Sequence, residues 1–442
     1  MNSKSGIADI VLICLVALAC NTFLALCSGR GGFQDRTNRI EVNNSTNTVI
    51  TATTTNGAGV AISGSFNNVS GSAATAVGPG IGVSITGANN TIVSTNSTSS
   101  TGVALSITAS CTNVSGGRFN TTGAANAVTL SANNSSIYGA TISSAGNTAA
   151  MAAISLSAGA LSNNITSCNV LGTAALGNGV LTASGANSNL VVRNNFTIST
   201  GVCLDLVSAS GFTVANNTCN TTSGTVMNLS ASANNTVVNN TLISTSGALL
   251  VISGASNSNT FYWNNFTNTS GVYVNDTNGS NNYNTTVSSH GEGNIWYNVL
   301  NNSVQVLGTA VSTGYPSLYY GFAGSGYPYN NSTSISKLYG NVSDSAPLTS
   351  NTSVCRTLST AGSTETLQAN LSINGSSCYN VTAANITINC NGYTILGNNT
   401  TSTYGIYSTQ SNTTIQNLTL QSTKRSLTLV HLTMSKVDGI QI

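Results

Sequence analysis

Short apolar runs alternate with polar turn residues along most of the chain, with no stretch at helical period. In NNTVVNNTLIST (234–245) two Asn pairs stand five positions apart, with Val and Leu between and after them. Asn is poor inside helices and strands. It suits turns, because its short side chain tolerates the left-handed region and bonds nearby backbone. Each Asn pair therefore predicts a turn, and each Val/Ile/Leu run a strand.

The pattern repeats. Residues 88–109 read ANNTIVSTNSTSSTGVALSITA, 210–231 read SGFTVANNTCNTTSGTVMNLSA, and 232–254 read SANNTVVNNTLISTSGALLVISG. Each unit opens on an Asn- or Ser-rich turn and closes on an alternating strand such as Leu250-Val251-Ile252. About ten units of about 22–27 residues fill roughly 38 to 286, a solenoid period. Such a unit has room for two or three short strands and none for a helix. It predicts one coil of a parallel β-helix, with Val, Ile and Leu inside and Ser, Thr and Asn outside. Turn Asn residues would stack into amide ladders, and the two pairs of 234–245 would be two corners of one coil. Ten coils at about 4.8 Å give a rod roughly 50 Å long. Parallel crossovers favour a right-handed path. A mucin-like stalk would be Pro-rich, and this chain has 4 Pro. A β-sandwich array would need longer units.

Composition sharpens this picture. Of 442 residues only 5% are charged and 6% aromatic, yet 40% are hydrophobic. The hydrophobic share argues against simple disorder. Near-absence of Glu and Lys argues against helices. A net charge of +2 is too small for a nucleic-acid footprint.

Lys4 precedes an apolar run from Ile10 to Cys27, so residues 1–29 read as a signal peptide, with Ala17-Leu18-Ala19 as cleavage region. The alternative is an uncleaved N-terminal anchor helix, the chain's one expected membrane contact. Cys20 and Cys27 are candidates for lipid modification, though neither has a good preceding sequence. Either reading puts the rest outside the cytoplasm. About 34 N-x-S/T triplets are glycosylation acceptors in a glycosylating host, although a chain this rich in Asn, Ser and Thr makes many by chance. Seven Cys follow the leader, an odd number that does not read as a dense disulfide framework.

After 286 the repeat breaks. Residues 294–349 carry Tyr297, Tyr315, Tyr319, Tyr320, Tyr327 and Tyr329, with Trp263 and Trp296 nearby. Bulky rings suit a solenoid's terminal cap; a sugar-stacking platform is the other reading. A further region, 350–442, includes CRTLSTAGSTETLQANLSINGSSCYNVTAANITINCNGYTILGNN from Cys355. Cys355, Gly362, Cys378, Cys390, Asn391, Gly392, Ile395 and Gly397 match a Cys, T-x-x-G, Cys, [DN]-C-N-G-y-x-I-x-G pattern. In this the chain resembles the opening of right-handed parallel β-helix domains in large archaeal surface proteins. Leu418 after Asn417 departs from that pattern, where a further Cys often stands. The segment from FYWNNFTN to APLT resembles the closing segment of the same domains. More distantly the chain is similar to the pectin-lyase-like superfamily and to periplasmic proteins of nitrous oxide reductase copper-site maturation. The resemblance covers most of the chain after residue 38 and implies an all-β, right-handed parallel β-helix. It implies little about activity. One or two coils need neighbours, so 355–442 either stacks on the first rod or the reading frame is a fragment. The basic run 423–436 (TKRSLTLVHLTMSK) reads as an edge strand blunted by charge.

Candidate chemistry is sparse. The acids after the leader are Asp35, Glu41, Asp205, Asp276, Glu292, Asp344, Glu365 and Asp438. Glycoside hydrolysis needs two carboxylates flanking one bond, and these are scattered. Asp205 reads as a solvated outward residue and His290 with Glu292 as a polar loop. His431 is remote from His290, so no metal set, and no cofactor, is expected. Cys203 and Cys219 do not share a coil position, so no stacked disulfide is expected between them. Cys355 with Cys378 is the expected disulfide in an oxidising compartment, and Cys390 an inward thiol. The expectation is a structural or adhesive rod at the cell surface. Its partners would be surface glycans or other surface proteins, with no catalytic residues assigned. The alternative is a polysaccharide lyase or glycoside hydrolase using Asp205, Asp276 or Glu292.

Overall fold

A computed structural model describes residues 12–18, 21–27, 32–35, 40–43, 50–54, 57–173, 177–301, 303–304, 306, 312–315, 318–320, 328–350, 356–367, 370–372, 378–397, 404–422 and 436–438. Two compact units divide the chain: 1–282 with 337–342, and 283–336 with 343–442.

The first unit is a parallel β-solenoid, as the repeat predicts. Each coil contributes one strand to each of three sheets. The coil that holds the opening motif supplies Thr236–Val238, Thr241–Ser244 and Leu250–Ser253. Register is in step from coil to coil. Val214 pairs with Val237, Cys219 with Leu242, and Leu229 with Ile252. Inward residues therefore stack on inward residues. On the first sheet Val191, Val214, Val237 and Phe261 form one fully buried row. The third sheet takes Leu338–Gly340 as a parallel strand beside Val274–Asp276.

The Asn pairs divide their labour. Asn234 and Asn239 adopt φ of 57° and 54°, in the left-handed region. Asn235 and Asn240, one residue on, are buried. The first of each pair turns the chain outward, where an Asn tolerates positive φ. The second points inward and joins a ladder. On one corner the Asn194 backbone N–H donates to Asn217 Oδ1 at 2.8 Å, and Asn217 N–H to Asn240 Oδ1 at 2.9 Å. Asn240 N–H then donates to Asn264 Oδ1 at 3.0 Å. Each Nδ2 also reaches back one coil: Asn217 Nδ2 to Val191 O at 2.7 Å and Asn240 Nδ2 to Val214 O at 2.9 Å. The other corner runs Asn235, Asn259, Asn281 in the same way. Corner backbone that leaves the sheets is thus paired rather than orphaned. The third corner uses Gly instead: a Cβ on Gly247 would lie 2.0 Å from Gly224 O.

The leader, expected as a helix, is instead an antiparallel pair, Leu12–Leu18 with Asn21–Cys27; closing its backbone bonds between strands satisfies the same groups a helix would. No helix among the described residues is long and apolar enough to cross a membrane. Cys20, Cys355, Tyr327, Lys424, Arg425 and His431 lie outside the described residues.

In the second unit, residues 356–438 form three short parallel sheets of three or four strands each, hence three coils, more than the one or two the sequence indicates. Their apolar interior includes Leu371, Tyr379, Ile388, Ile395 and Ile415. Asn391 and Gly392 supply the positive-φ turn of the NCNG motif, at 50° and 79°. Cys378 is disulfide-bonded, while Cys390 is a free buried thiol pushed up to about 12 by burial. Lys436–Asp438 is the last strand of its sheet, paired with Thr414–Gln416.

Candidate functional site

Asp205 lies on the third sheet between Leu181 and Asn228 of adjacent coils. It is half-buried and outward. Its carboxylate accepts from Asn178 Nδ2 at 3.2 Å and Asn228 Nδ2 at 2.7 Å. Burial raises its pKa, and the Asn228 amide pulls it back. The row continues from Asn228 through Val251 to Asn275 without another acid.

Asp276 is one residue past that row and fully buried. Alternation places it on the opposite face of the sheet from Asp205, and three coils away, about 14 Å along the axis. Its Oδ1 caps a turn by accepting from Asn278 N–H at 2.9 Å and Gly279 N–H at 3.1 Å, and its Oδ2 accepts from Asn281 Nδ2 at 3.0 Å. These two acids cannot flank one glycosidic bond. Asp205→Asn is expected to leave stability within about 1 kcal/mol by denaturant titration, since Asn can continue the amide row. A raised folded pKa means the wild type loses stability as pH rises through that pKa. The variant should lose that pH dependence; an unchanged profile would contradict the assignment.

In the second unit Glu292 and Asp344 are used internally. Glu292 is buried and accepts from Ser312 Oγ, Thr313 N–H and Thr313 Oγ1, each at 2.7 Å. His290, on the same hairpin strand, is exposed. Asp344 is buried. Its Oδ2 accepts from Asn294 N–H at 2.8 Å and Trp296 Nε1 at 2.9 Å, and its Oδ1 from Ala346 N–H at 3.0 Å. Burial pushes its pKa to about 7 against the pull of those donors. Nothing in the sequence singles out Asp344, because Asn294 and Trp296 lie about 50 residues away. Trp296 stacks on Tyr329 with centroids 4.9 Å apart, both fully buried. The single hydroxyl hydrogen of Tyr329 is shared between Ser336 O and, at 2.8 Å, Asn298 Oδ1. These two rings are core and unavailable to a sugar.

Most of what faces outward on the second sheet is polar. On the second sheet one row runs Asn169, Asn195, Thr218, Thr241, Asn265, and its neighbour includes Thr197, Asn220 and Ile243. A half-buried aromatic pair ends the first sheet, with Tyr262 and Trp263 edge-to-face at 5.1 Å. Among the described residues no group of three His, Cys, Asp or Glu could hold a metal ion.

No family model and no curated protein matches this chain. Among solved structures, a periplasmic alginate epimerase is 11% identical with TM-score 0.31, over 90% of this chain and 85% of that one. The tailspike protein of E. coli bacteriophage HK620, in complex with a pentasaccharide, is 9% identical with TM-score 0.30, over 91% and 72%. A PL6-family alginate lyase is 12% identical with TM-score 0.28, over 88% and 72%. The fold assignment rests on this chain's own strand register.

Proposed function

We propose that this chain is an exported, surface-associated β-helix rod that binds glycans or neighbouring surface proteins without catalysing a reaction. The observation that carries this reading is the outward grid of the second sheet. Amide and hydroxyl groups recur there at the coil spacing, about 4.8 Å. Such a lattice offers donors and acceptors in a repeat, which suits a polymer of hydroxyl-bearing units. Trp263 and Tyr262 add a ring surface of the kind that stacks on sugars.

The N-x-S/T triplets support a surface role. Every triplet Asn whose side chain is described is exposed or half-buried. None of the buried ladder asparagines, such as Asn217, Asn235, Asn240 and Asn264, heads a triplet. Strand alternation explains this: residues two apart share a face, so a polar pair at that spacing belongs outside. Glycans attached there leave the interior untouched.

Purified full-length protein on a glycan array should retain a polymeric glycan. Asn195→Ala with Asn220→Ala, and separately Trp263→Ala, should weaken retention at least tenfold. Retention of no glycan, or equal retention by all variants, would overturn the glycan reading. The alternative is a carbohydrate-active enzyme centred on Asp205, the outward carboxylate with a raised pKa. Release of reducing ends or unsaturated products, abolished in Asp205→Asn, would establish it instead.

A further inference from the structure

Two buried thiols meet inside the first unit. Cys203 stands one residue before Leu204, and Leu204 pairs with Val180. The same row holds Gly82, Ala104, Ala127, Ala153 and Gly179 on earlier coils. Cys219 lies on the second sheet, in the row of Ser97, Phe119, Ile142, Val170 and Phe196. The rows differ, which is why alignment by coil position excludes a stacked pair. They nevertheless face each other across the interior, one coil out of step. A Cβ on Gly82 would lie 3.3 Å from Ser97 Cβ, and one on Gly179 would lie 2.9 Å from the Phe196 ring. Cys203 and Cys219 stand in the relation of Gly82 to Ser97, each the next second-sheet residue along the chain. That puts their Cβ atoms close to the roughly 3.5–4.5 Å a disulfide spans. Both are fully buried free thiols, and the neighbouring Cys219 side chain adds to burial in holding the Cys203 thiol protonated.

We propose that Cys203 and Cys219 form an interior disulfide that staples the third sheet of one coil to the second sheet of the next. The oxidant is a disulfide of the thiol-exchange class, such as oxidised glutathione. One Cys thiolate attacks it, forming a mixed disulfide and releasing one small thiol. The second Cys thiolate attacks the mixed disulfide at the protein sulfur, closing the bond and releasing the second small thiol. The two protein protons leave with the two released thiols, and the oxidant is reduced by two electrons. A packed interior has no room for the mixed disulfide, so exchange precedes closure of the coil. Burial raises Cys203 well above the ordinary thiol range, which makes its thiolate a poor leaving group when an outside thiolate attacks the closed bond.

The test refolds the full chain in a glutathione redox buffer, alkylates it under denaturing, non-reducing conditions, and digests with a protease that cuts before Asp. Cleavage before Asp205 separates the two cysteines. The expected result is one species linking peptides 35–204 and 205–275, alkylated only at Cys111 and Cys168, about 2 Da lighter than the two peptides carrying those same two alkyl groups, and split by reductant. Full alkylation of both Cys203 and Cys219 would overturn the proposal, as would either one bonded elsewhere. A second measurement compares melting after oxidising and reducing refolding. The wild type should melt several degrees higher when oxidised. The pair Cys203→Ala with Cys219→Ala should lack that difference; a difference retained by the variant would also count against the staple.

Discussion

Asn217→Ala is expected to destabilise the first unit by about 3–5 kcal/mol. Asn217 makes four ladder contacts beyond its own backbone donation. Its Oδ1 accepts from Asn194 N–H at 2.8 Å and Asn194 Nδ2 at 3.0 Å. Its Nδ2 donates to Val191 O at 2.7 Å and Asn240 Oδ1 at 2.9 Å. Alanine leaves a buried N–H and a buried carbonyl without partners, each costing about 1–3 kcal/mol. The neighbouring Asn216 is the control. It is exposed with φ of 58° and accepts one solvent-exposed bond from Asn239 Nδ2, so Asn216→Ala should cost little beyond the left-handed penalty, about 1–2 kcal/mol. Urea titration followed by far-ultraviolet circular dichroism compares the two. Equal losses would mean that the ladder adds nothing beyond the turn.

Asp344→Ala is expected to cost the second unit about 3–6 kcal/mol, by orphaning the N–H groups of Asn294, Trp296 and Ala346. The wild-type residue also sets a pH dependence. Its pKa rises from 3.8 to about 7 on folding, so the folded unit holds the proton more tightly. The associated stability is fully present below about pH 4 and is lost as pH rises through about 7. The whole span is on the order of 4 kcal/mol. Asp344→Asn removes the titration and should flatten the curve between those limits. Trp296 fluorescence reports on the unit, because its Nε1 is bonded to this carboxylate. A wild-type profile flat from pH 4 to 7 would show that the three donors outweigh burial.

The fold was legible because its cause is local. Alternation set the inward face, Asn marked the corners, and one period tied them together. Sequence placed both Asn pairs of 234–245 at corners of one coil, where Asn234 and Asn239 turn and Asn235 and Asn240 face in. It did not separate the two roles within a pair, since a left-handed turn and a buried ladder both favour Asn. Contacts between rows were the harder part. Cys203 and Cys219 meet because adjacent sheets face each other one coil out of step, which an alignment of units does not display. Asp344 is hidden for a related reason: its partners Asn294 and Trp296 are remote in the chain. The candidate acids were visible, but their orientation was not. Asp205 and Asp276 look alike in sequence and point to opposite faces.

The ladder has a direction. Each rung gives its backbone hydrogen and one amide hydrogen to the next coil and its other amide hydrogen to the previous one, as Asn217 does with Asn240 and Val191. A coil is thus finished the same way on both sides, like a brick with a tongue and a groove. Adding or deleting one whole period leaves every remaining joint the same kind of joint. Length is then a quantity that gene duplication can change by itself, with no loop to redesign. A shift of one residue inside a coil has no such freedom, because it would turn a tongue to the outside and leave the next groove empty.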